Sequence, residues 1–250
     1  MSLFNFRYAD GQLLQIEGVS VRLRVSSRAR RVSLRVDRTT GEAIAVAPSR
    51  TALKEAARFA SERRAWLRAQ LADVPAPAPA LCADDRLEVL GQVWRLQPDG
   101  RRPRLAPPGP DGLRQLVGCG EGEVDPMIVA RVVRREAKAA FETRASVHCA
   151  ALSVERPPIG LMDPRTRWGS CTPAQRGRGA SIRLSWRLAL APWAVADYVV
   201  AHECAHLLEA NHGPRFWALV RGLVGDPAPH RRWLRAEGAR LHGLLATGRD

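Results

Sequence analysis

The sequence contains no apolar run long enough to cross a membrane. Arg, Asp or Pro interrupts each candidate before the roughly 18 residues that a membrane helix requires. Residues 1–11 also lack the apolar core and the small-residue cleavage site of a signal peptide. These absences argue against an integral membrane protein and a secreted one. We therefore expect a soluble, cytoplasmic chain with no membrane partner.

Cysteine is scarce as well. The chain has five cysteines, an odd number, widely spaced and without a CxxC pair. This usage excludes a disulfide scaffold and fits a reducing compartment. The composition also excludes collagen-like and low-complexity chains, and we find no internal repeat in the sequence.

Lysine is nearly missing, since Lys54 and Lys138 are the only two among 39 basic residues. Against 25 acidic residues this leaves a formal net charge of +14, almost all of it from arginine. An excess of this size attracts polyanions. We expect weak association with nucleic acid through this basic surface, although charge alone does not identify a function.

The chain does have the composition of a globular protein, with 46% hydrophobic and 26% charged residues over 250 positions. A Pro/Ala stretch at residues 74–80 prefers an extended form and is the best linker candidate. The sequence therefore predicts three regions. They are a β-sheet with a helix at 1–74, a linker and β-hairpin region at 75–123, and a second mixed domain at 124–250.

Hydrophobic periodicity predicts an α+β fold. Period-2 alternation in the first region indicates an N-terminal antiparallel sheet, and helical spacing after Pro48 indicates a basic amphipathic helix with Trp66 among its apolar positions. Gly91 and Gln92 form the turn of a tight hairpin, and residues 103–112 form an irregular Pro/Gly-rich loop. The predicted strands lie at 19–25, 32–36, 43–47, 87–90, 93–96, 113–117, 159–162, 167–171 and 181–186, and the later helices at 125–149, 192–211, 216–223 and 233–245.

The strongest motif is the segment HECAH at residues 202–206. Two histidines four residues apart lie one above the other on a helix, about 6 Å apart, so both imidazoles can bind one metal ion. Glu203 lies beside that face, where it can act as general base toward a water molecule on the metal. The flanking residues are apolar, which makes these polar side chains costly unless they bind something.

A catalytic zinc site needs a third protein ligand and a position open to water. His212, six residues after His206, is the leading candidate. The alternatives are Glu209, His230 and Glu237. The spacing matches that of metzincins, but Glu209 replaces their glycine and all three methionines precede the motif. We therefore adopt the ligand spacing and reject assignment to the metzincins.

Four motifs follow one another in the back half of the chain. They are MDPRTRWGSC at 162–171, IRLSWRL at 182–188, DYVVAHECAH at 197–206 and NHGPRFW at 211–217. With these motifs the chain resembles the YgjP-like family of zinc metallopeptidases, relatives of the SprT-like proteins. The resemblance implies a zincin-like metallopeptidase domain at 124–250 with an HExxH active-site helix. It also implies His202, His206 and His212 as zinc ligands and Glu203 as catalytic base.

The expected mechanism is hydrolysis of a peptide bond. Zinc held by three neutral imidazoles lowers the pKa of a bound water, and Glu203 takes its proton as the water attacks the carbonyl. In zincins a substrate commonly lies extended beside an edge strand. Residues 167–171 or 181–186 are placed to offer such an edge.

Other residues near the motifs have ordinary structural explanations beside functional ones. Arg165, Arg167 and Asn211 are candidates for contact with the oxyanion or the substrate, although salt bridges and helix capping explain them equally well. Cys204 is interpreted as a small buried apolar residue. Five tryptophans are expected in the core rather than stacked on bases: Trp168, Trp186, Trp193, Trp217 and Trp233.

Two classes of function fit these observations. The first is a zinc-dependent endopeptidase acting on a protein or peptide substrate. The alternative is a nucleic-acid-associated zinc-binding protein with a structural metal, or a protease acting on nucleic-acid-bound proteins. Glu203 favours catalysis, because a structural zinc site needs no carboxylate beside the metal and closes with a fourth protein ligand.

Overall fold

A computed structural model describes residues 8–37, 41–72, 80–164, 166–175, 177 and 179–245. The chain forms two compact units, Met1–Ala78 and Pro79–Asp250. Both units mix strands and helices, as the α+β prediction states. The predicted linker at 74–80 falls almost entirely outside the described residues. Spanning a bilayer would take a longer stretch of apolar helix than any described segment of this chain provides.

The first unit is a four-stranded sheet with two helices. Its core lies where one face of the sheet meets the helices, and small residues such as Ala43 and Ala45 on the inner face let the first helix lie close. The elements are β1 (Leu13–Ile16), β2 (Val19–Val25), β3 (Ser33–Asp37), β4 (Glu42–Ala47), α1 (Leu53–Glu62) and α2 (Arg64–Ala72).

The prediction of an antiparallel sheet is only partly right. The strand order is β1-β2-β4-β3, so β4 is inserted between β2 and β3 and runs parallel to β2. The other two pairings are antiparallel. Strands β2 and β3 follow one another in sequence but are not neighbours in the sheet. The most apolar strand, β4, lies between them. A central strand has a hydrogen-bonded neighbour at each edge, which suits its continuous apolar run.

The second unit begins with a sheet built in the same way. Its strands are β5 (Arg86–Val89), β6 (Gln92–Gln97), β7 (Arg104–Ala106) and β8 (Arg114–Val117), in the order β5-β6-β8-β7. Strand β7 lies in the Pro/Gly-rich stretch that was expected to be a loop. Its three residues pair with β8, and so short an edge strand is too brief to show alternation in sequence.

The two sheets share one topology and form a structural repeat, which the sequence, with no repeat of its own, does not indicate. The hairpin turn at Glu17 and Gly18 recurs 73 residues later at Leu90 and Gly91, and all four residues have positive φ. In the first sheet the Gly11 amide donates to the Leu23 carbonyl at 2.8 Å. The same bond recurs 73 residues later, where the Asp84 amide donates to the Leu96 carbonyl at 2.9 Å. The sequence conceals the repeat because few side chains are shared between the two copies.

The second sheet is followed by a helix and a smaller sheet. Asp125 caps the helix by accepting a hydrogen bond of 2.8 Å from the Met127 amide, and Pro126 occupies the first helical position. The elements are α3 (Pro126–Ala151), β9 (Ile159–Met162), β10 (Gly169–Thr172), β11 (Ser181–Ser185), a 3-10 helix (Trp186–Leu190), α4 (Trp193–Ala205), α5 (Pro214–Val224) and α6 (Ala228–Gly243).

One hydrophobic core joins the second sheet, α3, β11 and α4. All five tryptophans predicted as core belong to it or pack against it, Trp186 being fully enclosed. A partly buried polar cluster also fastens α4 to α3, because Asp197 accepts from Arg144 at 2.5 and 2.8 Å and lies 2.6 Å from His148 Nε2. The standing of residues 75–123 as a separate region stays a prediction.

Helix α4 ends earlier than the spacing predicts. The last helical residue is Ala205 and His206 is its cap, whereas the sequence suggested continuation to Asn211. The amides of Leu207 and Leu208 turn to carbonyls three residues back, at 3.0 and 3.1 Å. This tighter turn ends the helix and carries the chain toward His212.

Candidate metal centre

Three histidines meet where α4 ends and α5 begins. His202 lies in the last turn of α4, His206 caps it, and His212 precedes α5. Their ligand nitrogens all lie within 4.8 Å of one another. The Nε2 atoms of His202 and His212 are 3.1 Å apart. Nitrogens bound to a tetrahedral zinc at 2.0–2.1 Å would be about 3.3 Å apart, so the spacing suits that ion.

The imidazoles are held by hydrogen bonds on their outer nitrogens. His206 Nδ1 lies 3.0 Å from the Glu209 carbonyl oxygen and donates to it, which leaves Nε2 for a ligand. His202 Nδ1 lies 3.5 Å from the Tyr198 hydroxyl. Partners of this kind fix the orientation of a ligating imidazole and its tautomer. Tyr198 was not predicted to contribute to the site, although it lies one helical turn before His202.

Phe216 forms the apolar wall behind the three histidines. It is fully buried, and its ring centroid lies 4.8, 4.5 and 4.7 Å from those of His202, His206 and His212. Phe216 lies in the motif at 211–217 but was not predicted to contact the histidines. His212 lies outside α5, which begins at Pro214, so helical spacing does not relate it to Phe216.

The surroundings keep His202 and His212 neutral. Burial is the main cause that lowers the pKa of His202 to about 3, and the neighbouring imidazoles of His206 and His212 act in the same direction. The pKa of His212 is lowered by partial desolvation, by His206 and by the guanidinium of Arg231. Neutral imidazole is the form that binds a metal ion. His202 and His212 are therefore ready to bind a cation at neutral pH.

Glu203 is buried beside the histidines with 5% of its surface exposed. Burial raises its pKa to about 7, against the opposing effect of the Arg167 cation. Its carboxyl group packs on β10 at Gly169, where an added Cβ would lie 2.6 Å from Cγ and 2.7 Å from Cδ of Glu203. Only glycine leaves room for the carboxylate at that position. A carboxyl group that titrates near neutrality is suited to take and return a proton.

The alternative ligands lie elsewhere. Glu209 pairs with Arg215 at 3.8 Å and contributes its carbonyl rather than its carboxylate. His230 stacks on Tyr198 with centroids 5.6 Å apart. Glu237 pairs with Arg240 at 2.8 Å. Within the described ranges, the three histidines are the one group with the spacing of a metal site.

Of the three candidates for substrate contact, two lie near the histidines or Glu203. Arg167 is exposed and close enough to act on the charge of Glu203. Asn211 is exposed next to His212, and its carbonyl accepts from Gly213 at 2.7 Å. Arg165 lies outside the described residues. Arg231, which was not a candidate, lies with its guanidinium 4.9 Å from the centre of the Trp217 ring, beside the cluster.

Cys204 matches its interpretation as a buried apolar residue. It is fully enclosed, and its sulfur lies 3.7 Å from that of Cys149 on α3. Burial raises the pKa of Cys204 far above its ordinary value, so the thiol stays protonated. It therefore supports the back of α4 rather than a metal ion.

Comparisons with curated proteins and with solved structures give no match. A family model described as the YgjP-like metallopeptidase domain matches residues 30–237, which is most of the chain. The match includes the histidine cluster, Glu203 and Gly169. The suspected resemblance is thereby confirmed: this chain belongs to the YgjP-like family and carries its metallopeptidase domain.

Proposed function

We propose that this protein is a zinc-dependent endopeptidase that uses Glu203 as general base. The observation that carries the proposal is the group of three converging imidazoles, next to a buried carboxylate on the same helix. Within the described residues no fourth ligand completes the group, so a coordination position is left for water or substrate. A site of this composition is that of a catalytic zinc rather than a structural one, in a zincin-like domain.

His202, His206 and His212 would hold the ion through the nitrogens that face one another. Zinc suits a set of neutral imidazoles, and when bound it supplies Lewis-acid chemistry that acidifies water and polarises a carbonyl oxygen. The Glu209 carbonyl and the Tyr198 hydroxyl would keep the imidazoles in place. Five free cysteines agree with the cytoplasmic location that we infer.

Glu203 would hold and move the proton. In the carboxylate form it accepts a proton from the attacking water, and in the acid form it returns that proton to the departing amine. Its pKa of about 7 allows both forms to be reached near neutral pH. Gly169 leaves room for the carboxylate against β10, so it would determine the side from which Glu203 takes the proton of the water.

An extended substrate would lie along β10. In the order β10-β11-β9, β11 is central and β10 is an edge strand. Of the two segments suggested from the sequence, therefore, the first is the one with an edge that pairs with no other described strand. The contact between Gly169 and Glu203 supports this placement, because it brings the free edge next to the base.

The test compares zinc content and hydrolysis of a blocked peptide on the same samples. A peptide with acetylated and amidated ends reports internal cleavage alone. We expect one zinc in the wild type, and Glu203→Gln should keep the zinc and lose roughly 10²–10⁴-fold in kcat. His212→Ala should lose both zinc and activity. His230→Ala is the matched control and should keep the zinc.

Two outcomes would reject the proposal. Full zinc in His212→Ala would place the third ligand elsewhere. Zinc without cleavage of any blocked peptide or of casein would favour the alternative, a zinc-binding protein that associates with nucleic acid.

The pH profile tests the role of Glu203 separately. As a base it must be ionised, so kcat/KM should fall as the pH drops through its pKa. Arg167 lowers that pKa, and Arg167→Ala should therefore move the acidic limb to higher pH. An unchanged limb in Arg167→Ala would assign the titration to another group.

A further inference from the structure

A groove in the first unit lies between strand β3 and the helices. Val32 and Leu34 form its apolar wall on the strand side, and Phe59 and Trp66 form the helix side. Arg31 and Arg63 also line it. The cavity has a volume of about 340 Å³, at the lower end of sites that bind small molecules or single groups. We call it the arginine groove.

The helix side of the groove carries alternating aromatic and basic side chains. Phe59, Arg63 and Trp66 are spaced by four and three residues, so they follow one face of the helical segment. The guanidinium of Arg63 lies 5.7 Å from the centre of the Phe59 ring. Trp66 was expected among the core positions, yet 41% of its surface is exposed. An exposed tryptophan that lines a cavity offers a face for stacking.

The positive charge of the groove has no ion-pair partner among the described residues. Arg64 and Arg68 on α2 both pair with Glu17, whereas Arg31 and Arg63 pair with no described acidic residue. The described residues that line the cavity include no acidic side chain. The whole unit is basic, since residues 1–78 contain 14 basic and 7 acidic residues. Half of the net charge of +14 thus falls in less than a third of the chain.

We propose that the arginine groove binds unpaired nucleotides of a single-stranded nucleic acid. Bases stack on Trp66 and Phe59, and backbone phosphates are bound by Arg31 and Arg63. The bases of a duplex are already stacked on one another, so their faces cannot stack on Phe59 and Trp66. A peptide lying along the open edge of β3 is the rival occupant. The uncompensated positive charge favours a polyanion over it.

The test measures binding by the full chain, with fluorescence anisotropy of labelled 12-nucleotide dT and U strands. Trp66→Ala should weaken binding about tenfold, because stacking on one aromatic side chain contributes that much per base. The variant should fold normally, since Trp66 is partly exposed and its neighbour Leu67 remains buried. Binding of heparin, a polyanion without bases, should not change in Trp66→Ala.

A matched pair of double variants separates site from charge. Arg31→Ala with Arg63→Ala removes two charges at the groove. Arg24→Ala with Arg35→Ala removes two exposed charges from the opposite face of the same sheet. The groove pair should reduce the slope of log affinity against log salt by about 1.4, and the control pair should leave affinity within about twofold.

Several results would overturn the proposal. Equal losses in the two double variants, or wild-type affinity in Trp66→Ala, would reduce the interaction to general attraction by a basic unit. Duplex competing as well as single strand would have the same meaning. If the labelled strands fail to bind while a labelled blocked peptide binds in a Trp66-dependent manner, the groove is a peptide site. Equal binding of dT and U strands would show that the groove recognises the unpaired bases and phosphates that both strands share. A preference for U would identify RNA as the ligand.

Discussion

The two four-stranded sheets have one topology and two different surroundings. Both begin with a hairpin whose two turn residues have positive φ, and both place the fourth strand parallel to the second. The first sheet is covered by the short helices α1 and α2, with a core of its own. The second lies against α3 and shares one core with α4, the helix of the histidine motif.

This difference shows that a repeated sheet acquires its role from what is packed against it. The hairpin of the second sheet approaches α4 directly, because the Leu90 amide donates to the Ala189 carbonyl at 2.7 Å just before that helix. The first sheet carries an exposed basic face and the arginine groove instead. We infer that the second sheet supports the helix of the proposed metal site, and that the first sheet belongs to a separate unit that binds nucleic acid.

The largest effect is expected from matched core truncations. Leu23 in β2 and Leu96 in β6 are equivalent positions, 73 residues apart, and both are fully buried. Each change to alanine should destabilise its own unit by about 2–5 kcal/mol, since a cavity forms in a packed core. Leu96→Ala should reduce zinc retention, and Leu23→Ala should reduce binding of single strands while zinc remains. Chemical denaturation, metal analysis and anisotropy measure the three properties.

This comparison would fail if both truncations released zinc to the same extent. Such a result would mean that the two units unfold as one and that the second sheet has no special relation to α4.

A smaller effect should distinguish the two hairpin glycines. Gly18 and Gly91 have φ values of 85° and 73°, which any L-residue adopts at a cost of about 1–2 kcal/mol. A Cβ at 18 would meet no atom within 4 Å, whereas a Cβ at 91 would lie 3.0 Å from that of Trp193 in the first turn of α4. Gly91→Ala should therefore lower stability more than Gly18→Ala, as measured by thermal unfolding of each variant. Equal losses would show that α4 moves freely relative to the hairpin.

The smallest effect is expected from the charged pair in each sheet. Arg22 pairs with Glu42 in the first sheet, and Arg95 pairs with Asp111 at 2.5 Å in the second. Both pairs are about one third exposed or less, so double-mutant cycles should give coupling energies of no more than about 1 kcal/mol. Added salt should weaken both couplings. A coupling well above this limit in one sheet would identify that pair as specific to its unit.

The sequence was sufficient where a local pattern decides the outcome. Strand β9 lies where it was predicted, at residues 159–162, and the HECAH spacing brings His202 and His206 together. The long helix α3 was predicted within two residues at its end, because its cap residues and its periodicity agree.

What could not be predicted depends on contacts between distant residues. The parallel pairing of β2 with β4 is a choice among strand orders that alternation alone does not fix. Gly169 appears ordinary in sequence, since only the fold brings Glu203 against it. The early end of α4 comes with a tighter turn at Leu207 and Leu208 and a hydrogen bond from His206 to the Glu209 carbonyl, which helix propensity does not predict.

The close approach of Gly169 to Glu203 has a consequence for how this enzyme can vary. Any side chain at 169 would displace the Glu203 carboxylate, so no conservative substitution exists at this position. Other positions along this strand edge can change, but residue 169 must stay glycine. In a saturation library scored for hydrolysis, 169 should be as intolerant as 203 itself, although it contributes no functional group. The absence of a side chain at Gly169 would then be as necessary for the site as the carboxylate that it accommodates.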